Sequence, residues 1–113
     1  MPRSWPVARG RHKPGEMNKL EASYAAYLDV RLVAGEIAWY KFEGIKLRLA
    51  AKTFLTPDFF VMLPDGELQV HETKGFMQDD AAVKLKVAAA MYPFRFYLCK
   101  RPRVKEPWVI IEV

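Results

Sequence analysis

Two short segments, separated by one predicted turn, carry the side chains best suited to chemistry. Pro57-Asp58 opens an apolar run, and Glu72-Thr73-Lys74 closes the next one. Carboxylate oxygens are the ligands that Mg²⁺ prefers, and a lysine beside them can orient a water molecule or stabilise charge on a phosphate. Two acids and a lysine in this arrangement suit the metal-dependent cleavage of a phosphodiester bond.

The turn between the two runs determines how they pair. Residues 63–66, with the sequence LPDG, have the composition of a type I turn whose glycine favours a positive φ. Pairing across this turn places Asp58 opposite Glu72, and Lys74 shares their face because strand side chains alternate. The inner positions of that face are apolar: Phe60, Met62, Leu68 and Val70.

A simpler interpretation is that Asp58, Glu72 and Lys74 are solvated charges that form a weak ion pair at a strand end. The apolar inner positions argue against a solvent-exposed face. Two carboxylates opposed across paired strands also repel each other unless a proton or a cation lies between them. A shift of the turn by one residue would move Asp58 to the other face and remove the cluster.

An amphipathic helix is predicted upstream, over residues 18–33, with Asn18 as its N-cap and Gly35 just beyond its end. Its apolar stripe consists of Ala25, Leu28 and Leu32. Glu21 lies one turn before this stripe. It is therefore either a further site carboxylate, able to bind a metal ion, or a first-turn acid favoured by the helix dipole.

Shorter elements complete the predicted domain. Four further strands are expected, in residues 37–42, 45–49, 95–99 and 108–113. The first two are predicted to pair as a hairpin around Glu43-Gly44. A second helix over residues 79–92 begins at Asp79. Its predicted apolar face consists of Val83, Val87, Ala90 and Met91.

The charge of the chain favours an anionic partner. The 113 residues are 51% hydrophobic and carry a net charge of +5, which fits one globular domain over residues 17–113. Nucleic acid is the commonest such partner, and an acidic membrane or protein is the next. Residues 1–16 form either a basic arm that touches a nucleic-acid backbone or a plain disordered tail. The candidate backbone contacts are Arg9, Arg11, Lys13, Lys84, Lys86, Arg101 and Arg103.

Other features bear on the location of the protein. Cys99 is the single cysteine and lies in an apolar run, so we expect a buried thiol and a reducing cell interior. The basic first residues lack the apolar core of a secretory signal, and no apolar run has the length of a membrane span. These features predict a cytoplasmic protein without a membrane partner. His71 alternates to the face opposite Glu72, where a structural role is expected.

The order of helix, strands, helix and strand, with these acids at its strand ends, resembles the PD-(D/E)XK nuclease superfamily. Pro57-Asp58 matches the PD element, and Glu72-Thr73-Lys74 matches (D/E)XK. The resemblance covers residues 18–99 and looks most like small phage and prophage proteins described as Holliday-junction-resolvase-like. It implies an α/β (α+β) domain with a mixed central sheet flanked by helices, in a restriction-endonuclease-like α-β-β-β-α-β core. It also implies a Mg²⁺ or Mn²⁺ cofactor and a location in the cytoplasm of a bacterial host cell.

The function that this resemblance implies is metal-dependent hydrolysis of DNA, at branched structures such as Holliday junctions in the resolvase case. Asp58, Glu72 and the main-chain carbonyl of Thr73 would bind the ion, with Glu21 as a possible further ligand and catalytic acid. Lys74 would act on the attacking water. A resolvase makes two symmetric nicks, so that case also implies a homodimer. The alternatives are a nuclease-fold module that binds DNA without cutting it, and a small phage protein that inhibits a host factor.

Overall fold

The main sheet brings together strands that are distant in the sequence. The computed structural model describes residues 15–74 and 79–113, with side chains from residue 82 onward in the second segment. The described elements are α1 Lys19–Val33, β1 Trp39–Phe42, β2 Leu47–Ala50, β3 Thr53–Leu55, β4 Phe59–Met62, β5 Leu68–Lys74, α2 Asp79–Met91, β6 Arg95–Lys100 and β7 Val109–Glu112. Five of these strands form one sheet in the order β1-β4-β5-β6-β7, and β2 and β3 form a separate hairpin. In the five-stranded sheet β5 and β6 are parallel and the other pairs are antiparallel, so this is a mixed α+β fold.

The central hairpin has the register that its turn predicts. The Leu63 N–H donates to the Glu67 carbonyl over 2.9 Å, and Gly66 adopts a φ of +94°. Pairing then runs from Met62 with Leu68 to Phe59 with His71. Continuing this register by one residue places Asp58, just before β4, opposite Glu72. The predicted register is confirmed.

A helix packs on each face of the main sheet. On one face, Tyr24 and Leu28 of α1 pack against Phe59 and Val61. On the other face, α2 and the β2–β3 hairpin together cover the sheet. The buried residues of that second layer are Leu47, Leu55, Val70, Leu85, Ala88 and Phe96. Among the described residues, no helix is long and apolar enough to cross a membrane.

The first helix begins where the sequence predicts. The Asn18 side chain accepts a hydrogen bond from the Glu21 N–H over 2.8 Å, and the Glu21 side chain accepts one from the Asn18 N–H over 2.9 Å. This reciprocal pair is a capping box, which satisfies two of the free N–H groups at the helix start. Gly35 follows the helix end with a φ of +79°. Leu32 is exposed, because only the first three turns of α1 pack on the sheet.

The predicted hairpin between residues 37–42 and 45–49 is wrong. β1 pairs with β4 instead, and β2 pairs with β3, a strand that the sequence did not predict. The chain turns away at Glu43, which has a φ of +51° and donates its N–H to the Asp58 carbonyl over 2.7 Å. This bond attaches the end of β1 to the start of β4. A tight turn at Lys52, with a φ of +56°, then returns the chain onto β2.

The predicted apolar face of α2 is also wrong. Leu85 and Ala88 are buried, whereas Val83, Val87 and Met91 are 58%, 39% and 51% exposed. Ala90 is exposed as well. The helix is apolar on two opposite sides, so helical periodicity alone does not distinguish the side that packs.

Candidate active site

The start of β4 and the end of β5 hold two acids against each other. The Asp58 N–H donates to Oε1 of Glu72 over 2.8 Å. Oδ2 of Asp58 in turn accepts from the backbone N–H of Thr73 over 2.9 Å and from its hydroxyl over 2.5 Å. Each acid is therefore oriented by a neighbour on the opposite strand, at the positions that the register predicted.

A third acid reaches this pair from α1. Burial raises the pKa of Asp58 above its usual range, the hydrogen bonds from Thr73 oppose this rise, and the negative charge of Glu21 and a hydrogen bond with it raise the pKa further. Glu21 also closes the capping box of α1. Glu21 therefore stabilises the helix start and lies beside Asp58, whereas its role as a metal ligand stays a prediction.

Burial, followed by like charges, determines the electrostatics of the cluster. Burial raises the pKa of Glu72, and the charges of Asp58 and Glu21 raise it further. The positive charge of Lys74, whose residue is only 7% exposed, opposes this rise. Three carboxyl groups thus lie close to one lysine, and a proton or a cation among them would relieve their repulsion.

The donor set fits a hard divalent cation in its chemistry, because every candidate ligand atom is an oxygen. In residues 15–74 and 79–113, no group of three or more His, Cys, Asp or Glu side chains is already arranged to hold a metal ion. One oxygen each of Asp58, Glu72 and Glu21 accepts a hydrogen bond from the protein. The second oxygen of each acid and the Thr73 carbonyl are the atoms that would hold Mg²⁺ or Mn²⁺.

The predicted backbone-binding lysines of α2 lie on the helix that packs against the β2–β3 hairpin. Nζ of Lys84 is 3.4 Å from the carbonyl of Phe54, so this side chain contacts the β2–β3 hairpin. Lys86 is exposed on the same helix. The predicted contacts of the arm over residues 1–16 lie outside the described part of the chain, namely Arg9, Arg11 and Lys13.

The basic loop after β6 begins at the sheet edge where β5 ends. Because β5 and β6 are parallel, their carboxyl ends meet at one edge of the sheet, and Lys100 is the register partner of Lys74. Arg101 follows directly and donates to Oγ of Ser23, two residues beyond Glu21 in the sequence. The Arg103 side chain is exposed and lies 3.9 Å from Glu106. The sequence did not indicate Ser23, because its contact with Arg101 joins residues that are distant in the chain.

The residue next to Glu72 on β5 belongs to a separate polar network. Nδ1 of His71 is 2.6 Å from the Tyr24 hydroxyl, and Nε2 is 2.9 Å from Oε1 of Gln69. The Cys99 thiol donates to the same Tyr24 hydroxyl over 3.2 Å. Burial lowers the pKa of His71 to about 3, so the ring is neutral with both nitrogens bonded. These contacts support the structural role expected for His71.

Comparisons with known proteins do not identify a relative of this chain. The chain matches no family model, and neither curated proteins nor solved structures give a match. The assignment of a function therefore depends on the chemistry of the acid cluster itself.

Proposed function

We propose that the protein is a metal-dependent endonuclease of the PD-(D/E)XK type that hydrolyses DNA phosphodiester bonds. The observation that carries this proposal is the meeting of Glu21, Asp58 and Glu72 beside the largely buried Lys74. Like charges brought together in a partly buried place destabilise a fold, so such a cluster is a candidate for function. The order α1, β1, β4, β5, α2, β6 supports a restriction-endonuclease-like core into which the β2–β3 hairpin is inserted.

In the proposed mechanism, Asp58 and Glu72 would hold Mg²⁺ or Mn²⁺, with Glu21 and the Thr73 carbonyl as further ligands. Such an ion, when bound, supplies a water of lowered pKa and offsets the negative charge of the scissile phosphate. Thr73 orients Asp58 through two hydrogen bonds, and the Asp58 N–H orients Glu72. Lys74 then positions the attacking water or stabilises the charge that develops on the phosphate.

The basic residues at the same sheet edge would hold the DNA backbone. Lys100 ends β6, the strand parallel to β5, and Arg101 follows it, so a phosphate near Lys74 would also lie near them. Binding through such contacts should weaken steeply as the salt concentration rises. Paired nicks in a four-way junction would require two sites, and hence a homodimer.

The proposal is tested by cleavage of labelled single-stranded, duplex and four-way-junction DNA with Mg²⁺, Mn²⁺ or EDTA. Lys74→Ala should lower the cleavage rate by about 10²–10³-fold, the usual cost of removing a preorganised charged group. Asp58→Ala should cost more, because it also removes a metal ligand. Asp65→Asn, at the opposite end of the same β-hairpin, is the matched control and should cleave like the wild type.

Four results would contradict the proposal. Cleavage in EDTA, or cleavage that survives both Asp58→Ala and Lys74→Ala, would remove the assigned site. Salt-sensitive DNA binding without cleavage would leave a DNA-binding module. Neither binding nor cleavage of DNA, followed by the same result with RNA, would favour a protein partner.

A further inference from the structure

A groove lies between α1 and the loop that follows β6. It has a volume of about 590 Å³. Its lining includes Ser23, Tyr27, Arg101, Lys105, Glu106 and Trp108. Arg101 comes one residue after Lys100, the register partner of Lys74, and Ser23 is two residues beyond Glu21. The groove is therefore bounded by the helix that carries Glu21 and by the loop that leaves β6 after Lys100.

The aromatic residues of the groove form a fixed surface. The rings of Tyr27 and Trp108 have centroids 6.5 Å apart and planes inclined by 37°. Trp108 also packs edge-on against the fully buried Tyr24, at 4.8 Å between centroids, which anchors the indole to the core. The guanidinium carbon of Arg101 lies 5.4 Å from the Trp108 ring centroid. Aromatic rings with an adjacent guanidinium are surfaces on which a nucleic-acid base stacks.

The charge in the groove complements a phosphate. Arg101 is held in place, because its Nε donates to the Glu106 carbonyl over 2.9 Å and its Nη1 donates to Ser23. Lys105 is exposed beside it. The carboxylate of Glu106 lies 3.9 Å from Arg103, which offsets its negative charge. The groove thus combines an aromatic surface with two cations, as a nucleotide requires.

We infer that this groove binds one unpaired nucleotide of the nucleic-acid substrate. The base stacks on Trp108 and Tyr27, and its phosphate lies toward Lys105 and Arg101. The inference rests on the proposed nuclease function, because the groove is bounded by the helix that carries Glu21 and by the loop that follows the register partner of Lys74. A base enters such a groove only outside a duplex, so the preferred substrate has a single-stranded or branched segment at the cleavage site.

The experiment uses the fluorescence of Trp108 in a chain carrying Trp5→Phe and Trp39→Phe, so that Trp108 is the one remaining tryptophan. The protein is titrated in EDTA, which prevents metal-dependent cleavage. The probes are an oligothymidylate of about eight nucleotides and an abasic oligonucleotide of equal length and charge. The oligothymidylate should quench Trp108 emission to saturation and bind at least about fivefold more tightly than the abasic probe.

A pair of lysine variants tests the phosphate contact. Lys105→Ala should weaken binding of the oligothymidylate, whereas Lys86→Ala, an equally exposed lysine on α2, should weaken it less. Equal affinity and quenching with both probes would overturn the inference. Binding that leaves Trp108 emission unchanged would also overturn it and assign the groove to another occupant, such as a peptide. A complete lack of binding would overturn it too.

These outcomes separate the two proposals. One result is that the oligothymidylate quenches Trp108 emission in the single-tryptophan chain while the wild-type protein cleaves no substrate. This result would refute the nuclease and keep the groove. Metal-dependent cleavage without any response of Trp108 would refute the groove and keep the nuclease.

Discussion

His71 and Glu72 are neighbours on β5, yet their side chains enter opposite electrostatic environments. His71 faces α1, where both of its ring nitrogens are hydrogen-bonded and burial lowers its pKa to about 3. Glu72 alternates to the other side of the strand, at the end of β5 that Glu21 also approaches, and burial and the charge of Asp58 raise its pKa. One group is neutral and fully bonded, and the other is held among charges of its own sign.

This difference separates the polar residues that stabilise the fold from those to which the proposal assigns a catalytic role. The hydrogen bonds of His71 continue through Gln69 to Glu67, which lies 3.6 Å from Arg95 at the surface. Every group in that series forms a hydrogen bond or an ion pair in the folded protein. The acid cluster has the opposite property, because its members would be more stable apart or neutralised. Natural proteins commonly accept such a cost at functional sites.

The largest expected effect comes from substituting the two neighbours in turn. His71→Ala should lower the free energy of unfolding by about 2–4 kcal/mol, because it leaves a cavity and unpaired partners at Tyr24 and Gln69. Glu72→Gln should raise it by roughly 1 kcal/mol in EDTA at neutral pH. The amide still accepts from the Asp58 N–H, and it carries neither the charge that repels Asp58 nor the proton that must be held to remove that charge.

Urea unfolding of both variants measures these changes, and cleavage assays on the folded fraction complete the test. His71→Ala should retain cleavage per folded molecule, whereas Glu72→Gln should lose it. Equal destabilisation by the two substitutions would remove the distinction between the two faces of β5.

The pH dependence of stability should have opposite signs for the two neighbours. The depressed pKa of His71 makes stability fall as pH drops below the usual histidine value of 6.5. The raised pKa values of Asp58 and Glu72 mean that the folded protein holds protons more tightly than the unfolded chain. Their contribution is fully present below the usual values of 3.8 and 4.5 and is lost as pH rises through the raised values.

Above pH 6.5 the acids alone should therefore determine the trend. In EDTA, Tm should fall as pH rises toward about pH 9, and Mg²⁺ should raise Tm more at the upper end of this range, because the cation replaces the lost protons. Glu72→Gln serves as the control and should flatten the slope. A Tm that is independent of both pH and Mg²⁺ would argue against a repelling acid cluster.

The smallest expected effect separates the two roles of Glu21. Glu21→Gln keeps a side chain that can close the capping box, so stability should stay within about 0.5 kcal/mol while Mg²⁺ binding weakens. Glu21→Asp keeps the charge but shortens the reach to the Asn18 N–H, which should cost about 0.5–1 kcal/mol of stability. Calorimetric titration with Mg²⁺ and thermal unfolding in EDTA measure the two quantities. A loss of stability in Glu21→Gln with unchanged Mg²⁺ binding would show that Glu21 caps the helix and does not bind the ion.

The sequence was most informative where structure depends on neighbouring residues. The turn at 63–66 determined the register of β4 and β5, and that register brought Asp58 to Glu72. Asn18 and Gly35 likewise marked both ends of α1. These features depend on local φ preferences and caps, which a few residues determine on their own.

Strand pairs and packed faces that join residues distant in the sequence could not be predicted in this way. β1 and β2 are adjacent and both suited to strands, but the bond from Glu43 to the Asp58 carbonyl directs β1 to β4. The face of α2 was mistaken because Val83 and Val87 repeat at helical spacing as well as Leu85 and Ala88 do. Only the packed sheet and the β2–β3 hairpin select between the two sides.

The reactivity of Cys99 provides a measure of local opening of the fold. Cys99 is the single cysteine, it is fully buried beneath α1, and burial raises its pKa to about 12. A thiol in this state reacts with alkylating reagents only after the helix above it has moved away. Because that helix also supplies Glu21, the rate of alkylation reports how often the acid cluster comes apart, without any label being added to the protein.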